Sequence, residues 1–557
     1  MDSSFRHIKP RIEDWTISKF AENRDTFKVE LEQIVADKIS DEYQDIGALI
    51  SKTVYMEEHR IKTNPWKVDP ADESDYWKEI AQQLKSSQSS SEKTEIENEI
   101  LKKIIKRYVA EITGDFKVGT FKFARKFLTW FFKVIFNKFS EGNLFQLWGT
   151  RKILCSKIIL SGKVEEVRSM FDKGTMVIVP THFSNLDSIM VGYMIDAKAG
   201  LPAFTYGAGL NLFDYEIPAY FMNRLGAYKV DRRRKNPIYL MVLKEYVSST
   251  LQYGLNNLFF PGGTRSRSGE LESKLKLGLL GSLIEAQRES VIRKENNKII
   301  VVPLVIGYNF VFEAESLVEQ HLKLDGKELY RKTKAVKKSK GNWFWLVKSL
   351  FKKNSEVYMS FGQPMDVFGN FLSPEAKSLD VKNQEINFED YFEGVKGFNV
   401  DNQREQVYTQ LLGEKIVEEF KKTNVVLPSH LVSFVAFKYL ENLTNENVFS
   451  LVCQDSDILD IDFNTFLEFV SQAKSTVEKW ALQGKLSICK DYDLDIKSFA
   501  IKGIQLLGIY HESRVLYIDV NALRTENLKL LYFYHNRLIG YNLENFIDWS
   551  AINNTLN

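Results

Sequence analysis

Between residues 175 and 310 the chain alternates short apolar runs with stretches of helical length, and no other feature narrows its fold so far. The runs are MVIVP (176–180), LPAFTY (201–206), AYKV (227–230), NLFFP (257–261) and IIVVPLVIGY (299–308). Between them lie 186–196, 212–224, 237–253 and 275–292, each long enough for a crossover helix. Strands that are apolar throughout are covered on both faces, so the pattern predicts an α/β fold: a largely parallel sheet flanked by helices. One helix carries its own punctuation, with Asn236 suited to its N-cap, Pro237 to its first position and Gly254 to its exit.

The flanks read differently. Residues 1–115 form a polar, helical N-terminal region in which LKSSQSSSEKTE (84–95) is expected as a loop or linker. Residues 116–174 open with the acid-free, basic and aromatic FKVGTFKFARKFLTWFFKVIFNK (116–138) and lead into the core, placed at 175–370. A late strand and turn is expected at VYMSFGQPMDVF (357–368). Residues 371–557 read as a mainly helical C-terminal region, with a strand pair near 503–519. With 75 Lys and Arg against 73 Asp and Glu, a balance of +2, global charge does not argue for nucleic acid and any basic surface must be local; no recognition-helix or stacking pattern appears either, so no nucleic-acid partner is expected. Cys155, Cys453 and Cys489 are far apart, which argues against a disulfide framework or a zinc ribbon and for a reducing compartment. No metal site is expected. The opening MDSSFRHIKPRIEDW lacks an apolar core, so no secretion signal is expected, and no run of about 18 apolar residues suggests a membrane span.

In a doubly wound sheet, ligands bind beyond the carboxyl ends of the strands. Four unusual sequences fall there. After MVIVP come His182 and Asp187, five apart. On a continuous helix they would diverge by about 140°, so they meet only if the chain turns between them, with Ser184 or Asn185 capping the next helix. A carboxylate beside an imidazole fixes its tautomer and supports a general base. Next, Gly226 to Arg234 ends a strand in three consecutive arginines. Third, Phe259 to Gly269 (FFPGGTRSRSG) places Arg265 and Arg267 in a glycine turn suited to an anion, without the ending of a Walker loop. Fourth, Pro303 interrupts an apolar strand. Each has a plain structural reading too: a capping acid and a turn histidine, a solvated patch, a loop, a bulge or edge.

Their order at successive strand ends resembles the four blocks of the glycerolipid acyltransferase family. The H-x-x-x-x-D block is His182 to Asp187, the second runs from Gly226 to Arg232, the third from Phe260 to Arg267, and the fourth is Val302-Pro303. The longer G-T-R-S-R-S-G form, IGYNFVFEAESL (306–317) and LLYFYHNRLIGYNL (530–543) are most similar to the glycerol-3-phosphate and dihydroxyacetone-phosphate branch. The resemblance implies transfer of an acyl group from acyl-CoA or acyl carrier protein, as co-substrate, to the hydroxyl of glycerol 3-phosphate. Lysophosphatidate as acceptor and a catalytically inactive, membrane-binding homologue are the alternatives. It implies His182 as base and Asp187 as its orienting partner. It further implies substrate contacts from Arg232, Gly263, Thr264, Arg265, Ser266, Arg267 and Pro303, and no cofactor. One departure stands out: the family carries an acid where this chain has Gly262, so either Glu270 or Glu272 substitutes from downstream, or acceptor recognition differs, or activity is lost.

A lipid product requires a membrane. In 121–139, Lys122, Arg125, Lys126, Thr129, Lys133 and Asn137 form a polar stripe opposite Phe127, Leu128, Trp130, Phe131, Val134 and Ile135. The stretch 331–353 pairs cations with tryptophans, suiting anionic headgroups at about 1 kcal/mol per residue. The expectation is a peripheral or monotopic protein on the cytoplasmic face of a membrane, with membrane lipids among its partners.

Overall fold

The computed structural model describes residues 5–136, 158–324 and 356–552, except 89, 215, 296, 395, 396, 399, 445–447 and 453–459. Seven strands make the central sheet: β1 (Ile158–Gly162), β2 (Thr175–Pro180), β3 (Thr205–Gly209), β4 (Ala227–Val230), β5 (Asn257–Leu258), β6 (Ile299–Tyr308) and β7 (Val357–Phe361). Their spatial order is β1-β7-β6-β2-β5-β3-β4. The five strands β6, β2, β5, β3 and β4 run parallel, and β7 joins β6 antiparallel with β1 parallel to β7. All five apolar runs therefore supply parallel strands, and the carboxyl ends of β2, β4, β5 and β6 share one edge.

Every residue of β2 and β6 is buried. Alternate side chains serve opposite faces. Val177, Val179, Val301 and Val305 pack with the N-terminal helices and with Pro237–Gln252, Leu277–Ile292 and Asn402–Thr423. Met176, Ile178, Val302, Leu304 and Ile306 pack with Val164–Met170 and Leu186–Ala197 on the other face. A third core joins the C-terminal helices Pro428–Thr444, Phe463–Leu482, Ile496–Leu506 and Leu528–His535. The anticipated cap is present: the Asn236 side chain accepts the Tyr239 N–H at 2.8 Å, Pro237 starts the helix, and Gly254 leaves it at φ 73°.

Several sequence expectations shift. Strand β1 lies upstream of residue 175, in a half-buried segment with little apolar contrast. The serine patch is partly helical, since Glu73–Ser87 runs into it and Lys93–Ile112 follows. The strand pair lies at Tyr517–Asp519 and Ala522–Arg524, not across 503–519. Gly503 lies inside the helix Ile496–Leu506, where a Cβ would stand 2.7 Å from the Pro428 carbonyl oxygen; it marks a close helix crossing, not a turn. The basic segment 331–353 lies outside the described residues.

Candidate active site

Strand β2 ends at Pro180, and the chain turns sharply before the helix Leu186–Ala197 begins. Across that turn His182 meets Asp187, the second residue of the helix, with Nδ1 2.9 Å from Oδ2. Asn185 makes no capping bond from its side chain; the Ser184 hydroxyl accepts the Leu186 N–H at 3.2 Å. Asp187 organises the turn itself. Its Oδ2 also accepts the N–H groups of Phe183 (2.6 Å) and Ser184 (2.9 Å), while Oδ1 accepts the Tyr308 hydroxyl at 2.8 Å. The carboxylate has no solvent exposure, so these four bonds, and not water, offset its desolvation. An ionised partner at Nδ1 makes that nitrogen the donor and leaves Nε2 with its lone pair free. Nε2 has no hydrogen bond among the described residues, and the imidazole stacks on Phe260 with centroids 4.2 Å apart.

The glycine–arginine loop after β5 is pinned from both sides. The Ser266 N–H donates to the His182 carbonyl at 2.8 Å, and the Ser266 hydroxyl donates to the Glu270 carbonyl at 2.8 Å. Gly263 adopts φ 75°, and its N–H is committed to the Phe260 carbonyl at 3.0 Å, so it is not a donor for a reacting oxyanion. Thr264 is exposed. Arg265 lies 3.6 Å from Glu313, whose carboxylate also accepts from the Ser184 hydroxyl (2.9 Å) and the Asn185 N–H (3.0 Å). Glu313 thereby ties the His–Asp turn to the anion loop. Arg232 is exposed, and its pKa is held below the usual arginine value by surrounding protein and then by the charge of Arg265. Arg232 and Arg267 have no ion-pair partner among the described residues, which leaves both guanidinium groups available to an anion.

Pro303 does not reach this cleft. It is buried in β6 opposite Val179, where its carbonyl accepts the Gly362 N–H at 2.8 Å just beyond the end of β7. Its missing N–H faces the seam where β7 gives way to a loop, so a proline is tolerated in a central strand. Its part in the site is to shape the strand that ends in Tyr308.

The Gly262 departure has a structural counterpart. A Cβ on Gly262 would lie 3.0 Å from Oε1 of Glu272 and 3.1 Å from its Cγ, so a downstream carboxyl fills the room beside the glycine. Glu272 Oε1 accepts the His182 N–H at 2.8 Å, and burial pushes its pKa up to about 8. Glu270 makes no such contact.

Sequence reasoning missed Tyr308, Glu313 and Arg537. Arg537, in Asn536–Tyr541, is buried with its guanidinium 4.2 Å from the Phe183 ring centroid, donating to the Ile306 carbonyl (2.8 Å) and to Asn424 (2.9 Å). Burial lowers its pKa to about 10, while Glu272 and Asp187 oppose that shift. Gly269 (φ 88°) lets the Phe533 carbonyl approach, and Asn536 donates to the Ser268 carbonyl at 2.8 Å. The C-terminal helices thus form the rear wall of the site. No signal of period or motif links 537 to 182; only the fold does. Among the described residues, no group of His, Cys, Asp and Glu could hold a metal ion.

Residues 161–307 match the family model described as Acyltransferase. Over 305 residues, 54% of this chain and 31% of the relative, the sequence is 27% identical to a glycerol-3-phosphate acyltransferase of Pseudomonas paraeruginosa. It is 25% identical to the protein of that name from Pseudomonas fluorescens over 59% of this chain and 33% of the relative. For Shewanella pealeana the identity is 27%, over 54% and 32%. The chain spans about a third of the length of the curated relatives it matches.

Proposed function

We propose that the α/β domain of this chain belongs to the glycerolipid acyltransferase family and that it moves a fatty acyl group from a thioester to the hydroxyl of glycerol 3-phosphate. One observation carries the reading: a histidine whose Nδ1 is bound to a buried carboxylate and whose Nε2 is free opens on the same sheet edge as three arginines. The acceptor's phosphate sits against Arg232, Arg265 and Arg267, and its hydroxyl points at His182 Nε2. As the hydroxyl oxygen attacks the thioester carbon, Nε2 takes its proton. When the tetrahedral intermediate collapses, the C–S bond breaks and the imidazolium returns the proton to the departing thiolate. Asp187 stabilises the imidazolium in between. Base assistance of this kind is worth about 10²–10⁴ in rate, and holding both reactants in line adds to it. No acyl-enzyme is formed, and acyl-CoA and acyl carrier protein both meet the chemical need for a thioester.

Membrane contact is part of the proposal. The helix Val118–Phe136 turns Arg125 inward to Asp196 (2.7 Å) and leaves Phe123, Phe127 and Trp130 facing solvent at 57, 45 and 55% exposure. Phe221 stacks on Phe123 at 5.9 Å, and the exposed Tyr220 lies against Phe221. Contiguous exposed aromatics beside Lys126 and Arg224 suit a lipid interface with anionic headgroups. No helix among the described residues is long and apolar enough to cross a membrane.

Purified full-length protein given labelled acyl thioester and either glycerol 3-phosphate or lysophosphatidate tests the acceptor. Preferred labelling of glycerol 3-phosphate is expected; labelling of lysophosphatidate alone reassigns the substrate, and labelling of neither removes the activity.

A further inference from the structure

The three consecutive arginines after β4 are treated differently by the fold. Residues 231–234 form a turn closed by the Arg234 N–H on the Asp231 carbonyl at 3.2 Å. Arg233 is drawn to the N-terminal helical region: its fork meets both oxygens of Asp69, with Nη1 3.0 Å from Oδ2, and Nη1 also donates to the Asn64 carbonyl at 2.9 Å. Its guanidinium lies 3.9 Å over Trp66, and Asp231 closes the other side at 2.8 and 3.0 Å. Arg234 is 2% exposed and reaches Glu73 and Glu111, each at 2.7 Å, and Glu57 at 3.7 Å. Arg60 braces Glu57 at 3.0 Å, Asp69 at 3.5 Å and Glu73. Arg232 has no such partner among the described residues, and the charge of Arg265 acts on it.

We infer that the acidic cluster of Glu57, Glu73 and Glu111 on the N-terminal helices and Asp69 in the loop between two of them is the positioning frame of the acceptor site, fixing Arg232 toward a phosphate by engaging Arg233 and Arg234. This rests on the acceptor reading given above for Arg232. Three adjacent guanidinium groups repel one another, and without a partner each would sample solvent. Pairing two of them with buried and half-buried carboxylates removes that repulsion and fixes the turn, so Arg232 meets an anion with its freedom already reduced. A planar, bidentate Arg–Asp contact stacked on an indole holds one orientation, which a flexible surface pair does not. Asp69 and Arg233 touch no substrate; they act through Arg232.

A double-mutant cycle tests this in the full chain. Asp69→Asn, Arg232→Ala and the double variant are compared by acyl-transfer kinetics and by calorimetric titration with glycerol 3-phosphate, with thermal melts alongside. Loss of Arg232 is expected to weaken glycerol 3-phosphate about 10–100-fold. Asp69→Asn weakens it about 3–10-fold with kcat within about twofold, and adds nothing once Arg232 is gone, because coupled residues are not additive. Arg233→Lys, a milder change that keeps the charge but loses the fork, reproduces the Asp69→Asn affinity. If Asp69→Asn and Arg233→Lys lower only the melting temperature, the cluster is a staple between helices and sheet, and the inference is wrong. Equal weakening by Asp69→Asn with and without Arg232 overturns it as well. Unchanged affinity in Arg232→Ala overturns the acceptor reading itself.

Discussion

Replacing Asp187 by Asn removes one charge and almost no geometry. An asparagine can keep its oxygen toward His182 Nδ1, Phe183 N–H and Ser184 N–H, while its amide nitrogen faces Tyr308, whose hydroxyl can rotate to accept. Hydrogen bonds to a charged acceptor are worth about 1.5–3 kcal/mol and neutral ones about 0.5–1.5, so the bonds from Phe183, Ser184 and Tyr308 together lose about 3 kcal/mol of stability. The catalytic loss has a separate origin. The imidazolium that forms as His182 takes a proton no longer has an anion beside it, and two unit charges about 4 Å apart at an effective dielectric of 20 attract by about 4 kcal/mol. At 1.36 kcal/mol per decade this lowers kcat by about 10²–10³. KM for the acceptor should stay within about threefold, because none of the arginines is touched. Steady-state kinetics on folded Asp187→Asn protein, checked by thermal melt, reads both numbers. A kcat within tenfold of the native protein, or a loss confined to KM, would refute the role assigned to Asp187.

Other perturbations test neighbouring parts of the account. Glu272 has a folded-state pKa of about 8, above the ordinary carboxyl value, so the folded protein retains a proton that the unfolded chain releases and stability falls as pH rises from about 4.5 to 8, by up to about 1.4 kcal/mol per unit. Glu272→Gln should abolish that slope; parallel melting curves from pH 5 to 8 would show the carboxyl to be ordinary. Gly269→Ala places a Cβ against the Phe533 carbonyl at φ 88° and should cost more than about 2 kcal/mol, with activity falling as the Ser266–Ser268 loop shifts; an unchanged melt would contradict the tight contact with the C-terminal helices. Converting Phe123, Phe127 and Trp130 together to serine should weaken binding to anionic vesicles at least tenfold, each buried aromatic being worth about 1.5–3 kcal/mol, and equal binding would move the lipid contact elsewhere.

How far the sequence carried is visible in particular elements. Runs such as MVIVP and IIVVPLVIGY are apolar throughout because β2 and β6 are covered on both faces, so burial writes itself into composition. The half-buried β1 leaves no such mark. The His182–Asp187 pair was legible because both partners lie in one turn, and Asn236 and Gly254 because capping is local. Tyr308 and Arg537 were not, since each acts across more than a hundred residues on a site that exists only after folding. The arginine run stands out in the sequence, but its division does not: Asp69 lies 164 residues from Arg233 and Glu73 161 from Arg234, and no local pattern pairs them. The polar stripe of the helix Val118–Phe136 was identified, yet Arg125 faces the core while Phe127 and Trp130 face out.

The account is tested most directly by His182→Ala, with transfer of a labelled acyl group to glycerol 3-phosphate followed to a sensitivity of about one part in 10⁴ of the native rate. Native protein should form acylglycerol phosphate, and the variant, folded but melting lower because the buried Asp187 loses its bond from Nδ1, should do so at least about 100-fold more slowly. Transfer that persists undiminished in the variant would contradict base catalysis by this histidine.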